Sequence, residues 1–260
     1  MDLKLQGKVF IVTGGSEGIG KGITQAIAAE GGTPVIATRT KRPTETLIAE
    51  LKAIGINAMS VYGDLQELEY CQTVIQKTYE VYGRIDGLVN NAGVNDGASL
   101  EKGPQAFRLS IQRNLYHYFD LVHYALPYLK ESKGAIINIA SKVAFTGQGN
   151  TSGYAASKGA QVALTREWAA ALLPYSIRVN AILPAEVMTP LYRRWLDNSF
   201  ENPMNKETEI ASKIPLDNRM TKVEEIAAMA VFLLSEVSAH TTGQLLFIDG
   251  GYVHLDRALT

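Results

Sequence analysis

The sequence predicts an α/β fold: a single doubly wound domain over residues 1–260, with a seven-stranded parallel sheet covered by helices on both faces. Three observations predict it. Short β-branched runs alternate with longer amphipathic stretches from end to end. The short runs are continuously apolar, as in strands buried on both faces, and right-handed crossovers follow from that pattern. A glycine-rich turn follows the first run and opens the first helical stretch, the arrangement that places helix N–H groups against a phosphate.

The elements follow in order. Residues 9–13 (Val9-Phe10-Ile11-Val12-Thr13) form the first strand, and the helix after its turn runs to about Glu30. Strands are expected over 33–38, 57–62 and 85–90, with helices around 43–54 and 66–82 between them. A long helix is expected from about Pro104 to Leu129, then a fifth strand over 135–140. The next helix begins near Tyr154 and ends before Pro174. A sixth strand over 176–183 and a seventh over 245–248 complete the sheet. Residues 184–221 break the alternation with Pro184, Pro190, Pro203 and Pro215. The segment near 188–215 reads either as a small helical lid over the carboxyl edge of the sheet or as a surface excursion.

Composition narrows the function. At 260 residues and 46% hydrophobic, the chain can bury a full core. A formal net charge of −1 gives no electrostatic reason to expect nucleic acid or an anionic membrane as partner. Cys71 is the only cysteine, which excludes an internal disulfide and suits a reducing compartment. No apolar run approaches the ~18 residues of a membrane span, and Met1 to Gln6 has no signal-peptide core. A cytoplasmic protein is expected. His117, His123 and His240 lack metal-ligand spacing, read as surface or helix residues, and no metal is expected.

Four motifs carry chemistry. In Thr13-Gly14-Gly15-Ser16-Glu17-Gly18-Ile19-Gly20, the glycines permit a tight turn and close approach of backbone to a pyrophosphate. Tyr154 and Lys158 stand four residues apart, on one face of a helix. A cation there favours the phenolate and lowers a pKa that is otherwise near ~10. Asn114 is a poor helix former inside an apolar helix, and Ser141 follows the fifth strand. After the second strand the chain has Arg39 and no carboxylate. That favours NADP, whose 2′-phosphate an arginine can pair with, while an unengaged Arg39 leaves NAD acceptable.

The Gly-x-x-x-Gly-x-Gly spacing, followed in order by Asp64, Asn90-Asn91-Ala92-Gly93, Asn114, Ser141 and Tyr154 with Lys158, resembles the short-chain dehydrogenase/reductase family. The resemblance covers the whole chain and implies a Rossmann-type domain. It implies that Tyr154 is the catalytic base, Ser141 the group orienting the substrate oxygen, and Lys158 the ligand of the nicotinamide ribose. It also implies that Asn114 holds a water linking Lys158 to solvent. Gly14, Ser16, Gly18, Ile19, Gly20, Asn91, Ala92, Gly93, Pro184 and Thr189 would line the dinucleotide site. Asp64 would accept from the adenine amino group, or else simply form a turn. One departure is Pro184-Ala185 where the family usually has Pro-Gly; an added methyl restricts positive φ and crowds the nicotinamide.

Longer stretches, 90–97, 146–154, 184–193 and 250–259, resemble the bacterial L-fucose dehydrogenases and share the Pro184-Ala185 departure. That resemblance implies oxidation of an aldose at its anomeric carbon to the lactone. The residues agree. Asn95, Lys142, Gln148, Glu186 and His254, with Asn150, lie on expected loops or the tail, where a polyol ligand needs polar groups. Tyr192 or Trp195 would stack on the sugar's apolar face, or else pack in the core or at an interface. The family resemblance further implies a homotetramer, a dimer of dimers, built through the two long helices.

Overall fold

The computed structural model describes residues 2–255. Its elements are β1 (Val9–Thr13), α1 (Gly18–Ala29), β2 (Thr33–Thr38), α2 (Lys41–Ala53), β3 (Met59–Tyr62), α3 (Leu68–Tyr82) and β4 (Gly87–Asn90). They continue with α4 (Gly103–Ile111), α5 (His117–Ser132), β5 (Ala135–Ile139), α6 (Ser152–Ala171) and β6 (Arg178–Pro184). The last are α7 (Pro190–Ser199), α8 (Pro203–Ala211), α9 (Val223–Leu234) and β7 (Leu245–Ile248). All seven strands pair in parallel, in the order β3-β2-β1-β4-β5-β6-β7. Strand order reverses between β1 and β4, so a crevice opens beyond the carboxyl ends of those strands.

The strands are apolar on both faces because both faces are covered. In β1, Val9 and Ile11 join the core under α3, α5 and α6, while Phe10 and Val12 join the core under α1 and α9. Side chains alternate across a strand, so one five-residue run feeds both layers.

Several boundaries differ from expectation, β4 among them, which starts at Gly87. The helix expected over 104–129 is interrupted by a π turn at Gln112–Tyr116 and continues as α5 to Ser132. The sixth strand starts at Arg178, because Ser176 takes a left-handed φ of 56° and turns the chain first. The third starts at Met59, the first residue to find a β2 partner. The expected lid is present as α7 and α8. Pro190 and Pro203 open these helices, where a missing N–H costs nothing. Thr189 and Asn202 cap them by accepting from Tyr192 N and Asn205 N. A bridge between Val187 and Thr221 closes the base of the excursion.

Candidate active site

A cleft of about 630 Å³ lies across the carboxyl ends of the strands, within the ~300–1,000 Å³ usual for small-molecule sites. One end is the start of α1. Glu17 provides no side-chain cap there, and the first intrahelical bond is Lys21 N to Glu17 O. The N–H groups of the first turn therefore have no helical acceptor, and Gly18 and Ile19 bring them to the cleft wall. Gly20 makes this possible: a Cβ on it would stand 2.2 Å from Gly14 O. Gly14 also lines the cleft. Ser16 is buried behind it, 3.5 Å from the Thr38 hydroxyl.

Asn91 braces the turn. Its Nδ2 donates to Thr13 O at 2.8 Å, while Thr13 Oγ1 accepts from the backbone N–H of Asn91 and of Ala92. Thr13 is thus the hinge post that ties β1 to the loop after β4. Gly93 follows, and a Cβ on it would come within 2.9 Å of Asn114 Oδ1. Asp64 accepts from Gln66 N at 3.0 Å and lies 3.8 Å from the Arg39 guanidinium. Those contacts hold its carboxyl below the usual range, the Gln66 backbone first and Arg39 after it. Arg39 itself is 73% exposed in its side chain, and both residues line the cleft. Pro184 and Thr189 also line the cleft, Thr189 close against Gly18. Ala185 does not take a left-handed φ, so its methyl meets no backbone strain.

Ser141, Tyr154 and Lys158 come together in the middle of the cleft. Lys158 Nζ lies 5.4 Å from the Tyr154 ring centre and donates to Ile139 O at 2.7 Å. Burial pushes the lysine down to about 7 and the phenol up to about 12; the Ser141 hydroxyl opposes the second shift and Glu186 adds to it. In the protein without cofactor, desolvation therefore outweighs the help that a neighbouring cation was expected to give the phenolate. Asn114 sits in the π turn, an irregularity common at functional sites. Its Oδ1 accepts from Val94 N at 2.7 Å, and its backbone carbonyl accepts from Gln161 Nε2 at 2.7 Å.

The expected substrate residues divide. Lys142 and Glu186 form a buried ion pair at the ends of β5 and β6. Tyr192 donates to the other Glu186 oxygen at 2.7 Å, and the ring of Tyr252 lies 3.9 Å below the Lys142 ammonium. Asn95 is turned to protein, accepting from Thr151 Oγ1 and Gly97 N. Gln148 and Asn150 are exposed on the loop before α6. His254 packs edge-on against Phe247, at 4.4 Å. Residues 256–259 of the closing stretch lie outside the described residues.

Two residues went unrecognised in the sequence. His117, read as a surface or helix residue, is helical but buried to 1% exposure and lines the cleft. Its Nε2 faces Ala92 O at 3.2 Å, so the proton sits on that nitrogen, and burial holds the ring neutral by pushing it down to about 4. The other is Gln161. Its signal was the stripe Tyr154, Lys158, Gln161, Thr165, polar residues at helical spacing on one face of α6.

A family model described as enoyl-(acyl carrier protein) reductase matches residues 14–253. The chain belongs to the short-chain dehydrogenase/reductase family. It is 37% identical over 250 residues to the L-fucose dehydrogenase of Rattus norvegicus, an alignment covering 95% of this chain and 90% of that protein. It is 34% identical over 253 residues to the 3-oxoacyl-(acyl-carrier-protein) reductase FabG of Thermotoga maritima, covering 96% of this chain and 100% of that protein. Among solved structures, the Cj0485 dehydrogenase superposes with a TM-score of 0.94 at 48% identity, covering 100% of this chain and 99% of that one. As a short-chain dehydrogenase/reductase, the protein is an oxidoreductase of a family that uses NAD(P). The cleft fits such a group: the open start of α1 suits a pyrophosphate, and Gly20 and Gly93 leave the space a side chain would fill. No described helix is long and apolar enough to cross a membrane.

Proposed function

We propose that the protein oxidises an aldose, L-fucose or a sugar sharing most of its stereocentres, at the anomeric carbon to the aldonolactone, with NADP preferred over NAD. The Lys142–Glu186–Tyr192 cluster carries the sugar reading. Tyr192 lines the cleft with Ser141 and Tyr154, and the Lys142–Glu186 pair behind it makes that side polar, where an acyl chain would need apolar walls. Likeness to L-fucose dehydrogenase supports the same reading. Arg39 at the end of β2, with no carboxylate there, supports NADP.

In this mechanism Tyr154 Oη takes the proton of the anomeric hydroxyl. Ser141 Oγ donates to the same oxygen and steadies its developing charge. The cofactor, when bound, supplies a hydride acceptor and a positive charge. Lys158, fixed by Ile139 O, turns its remaining donor to the cleft and the ribose hydroxyls. Because burial holds the phenol up to about 12 in the free protein despite Lys158, the positive charge of the oxidised cofactor would favour Tyr154 as a base. Sugar turnover should therefore favour the order in which the oxidised cofactor binds first.

A second reading is reduction of a 3-oxoacyl group, favoured by the likeness to FabG over that protein's whole length. A phenol that keeps its proton to about 12 suits Tyr154 as a donor in that direction. Incubation with NADP and a panel of L-fucose, D-arabinose and L-galactose separates the two. NADPH formation with these sugars supports the proposal. Turnover of a 3-oxoacyl thioester with NADPH, and none of the sugars with NADP, overturns it. We also infer a homotetramer, supported by Phe107, Leu109, Tyr116 and Phe119, large apolar side chains exposed along α4, the π turn and α5.

A further inference from the structure

Lys158 is held from behind as well as from the cleft. Its Nζ donates to Gln161 Oε1 at 3.1 Å as well as to Ile139 O, and Gln161 Nε2 donates to the Asn114 carbonyl. A carbonyl only accepts, so the amide has one workable orientation: NH₂ towards Asn114 and oxygen towards Lys158. Gln161 is fully buried, and its backbone carbonyl accepts from Thr165 Oγ1 at 2.7 Å. An amide does not titrate near neutrality. Besides any water that the family resemblance implies on Asn114, Lys158 is thus joined to the Asn114 carbonyl by a side chain that cannot take up a proton. An ammonium has three donors; two are spent on Ile139 O and Gln161, and the third is left for the cleft.

The other groups around the ammonium do not offer it a counter-charge. Tyr118 lies with its ring centre 5.7 Å away and donates to Ile139 O, His117 is neutral, and Tyr154 keeps its proton. The geometry points to Gln161 as a positioning residue. It pins the Lys158 ammonium between the β5 carbonyl and the π turn, and so sets how readily the Tyr154–Lys158 pair gives and takes protons. This rests on the reading of Tyr154 and Lys158 as the catalytic pair.

The test is the pH profile of turnover in Gln161→Glu and Gln161→Met, measured with L-fucose and NADP, or with a 3-oxoacyl thioester and NADPH if the native protein turns over only that. Gln161→Glu keeps the length but gives up the donor to the Asn114 carbonyl and puts a carboxylate on Lys158, which favours the protonated ammonium. Its profile should move to higher pH by about one unit, with turnover at pH 7 down about tenfold. Gln161→Met keeps the bulk but not the clamp, and should lower kcat about tenfold with KM for that substrate unchanged. Thermal melting monitors folding in both. Profiles that superimpose on the native one, with losses that follow only the melting temperature, overturn the inference. Tyr154→Phe is run alongside. If it stays active, the catalytic reading itself fails; if it is inactive while the Gln161 profiles are unmoved, only the role of Gln161 falls.

Discussion

Helices α1 and α6 both pack on the sheet and both serve the cleft, but they work in opposite ways. Helix α1 buries Ile23, Ile27 and Ala28 against the strands and acts through its uncapped end. Helix α6 buries Lys158, Gln161 and Thr165 and acts through its face. An apolar face needs only a complementary surface, whereas each buried polar group needs a partner. Those partners form a ladder under the site: Asn90 donates to Asn138 at 3.0 Å, and Asn138 donates to Thr165 at 2.9 Å. Helix α6 is tied to β5, and through it to β4, by directional bonds. Helix α1 is held mostly by shape, with Thr24 Oγ1 donating to Gly15 O at 2.8 Å.

Removing one atom from the working face should have the largest effect. Tyr154→Phe should lower kcat by about 10³-fold, within the ~10²–10⁴-fold span of acid–base groups, while the melting temperature stays near native. Steady-state kinetics and a thermal melt check both halves of that statement. On α1 the matching change is at the end, not the face. Gly20→Ala should destabilise the protein by ~1–3 kcal/mol and weaken cofactor binding, because its methyl meets Gly14 O. Urea unfolding and a cofactor titration would show it, and native-like values for both would break the contrast.

Stability against pH probes the buried charge on α6. Lys158 has a folded value of about 7 against 10.5 for an ordinary lysine, so between those values the unfolded chain binds more protons. Stability of the cofactor-free protein should therefore rise as pH goes from 7 to 9, and Lys158→Met should flatten the rise. Above 9 the buried Cys71 thiol and Tyr154 phenol act in the other direction, since folding keeps their protons on to about 12. Urea midpoints at pH 7, 8 and 9 measure the slope. The smallest effect belongs to the apolar face. Ile27→Val should cost ~0.5–1.5 kcal/mol and leave kcat and KM unchanged. A change in kinetics there would show that α1 does not act by its end alone.

The seven strands were legible because each is a short, mostly apolar run bounded by turn residues, and the order of motifs along the chain named the family. The glycine turn and the Tyr154–Lys158 pair were legible because their spacing is local to one turn of chain. The π turn was not, since it depends on Asn114 bonding to Val94 N, twenty residues away. Gln161 was missed for a similar reason: its meaning lies in the Asn114 carbonyl, 47 residues off. The expected lowering of the Tyr154 pKa looked sound from the spacing of two side chains. Burial reversed it, and burial is a property of the packed site.

By itself, the sequence determined the α/β class, the glycine turn that opens α1 and the pairing of Tyr154 with Lys158 on one helix face. Each follows from periodicity, backbone permissiveness or functional groups within a few residues. Only the tertiary structure decided that Lys142 and Glu186 spend their charges on each other, that Lys158 is backed by an amide, and that His117 stays neutral. Those outcomes depend on which groups are desolvated together, and desolvation is set by the whole packed chain.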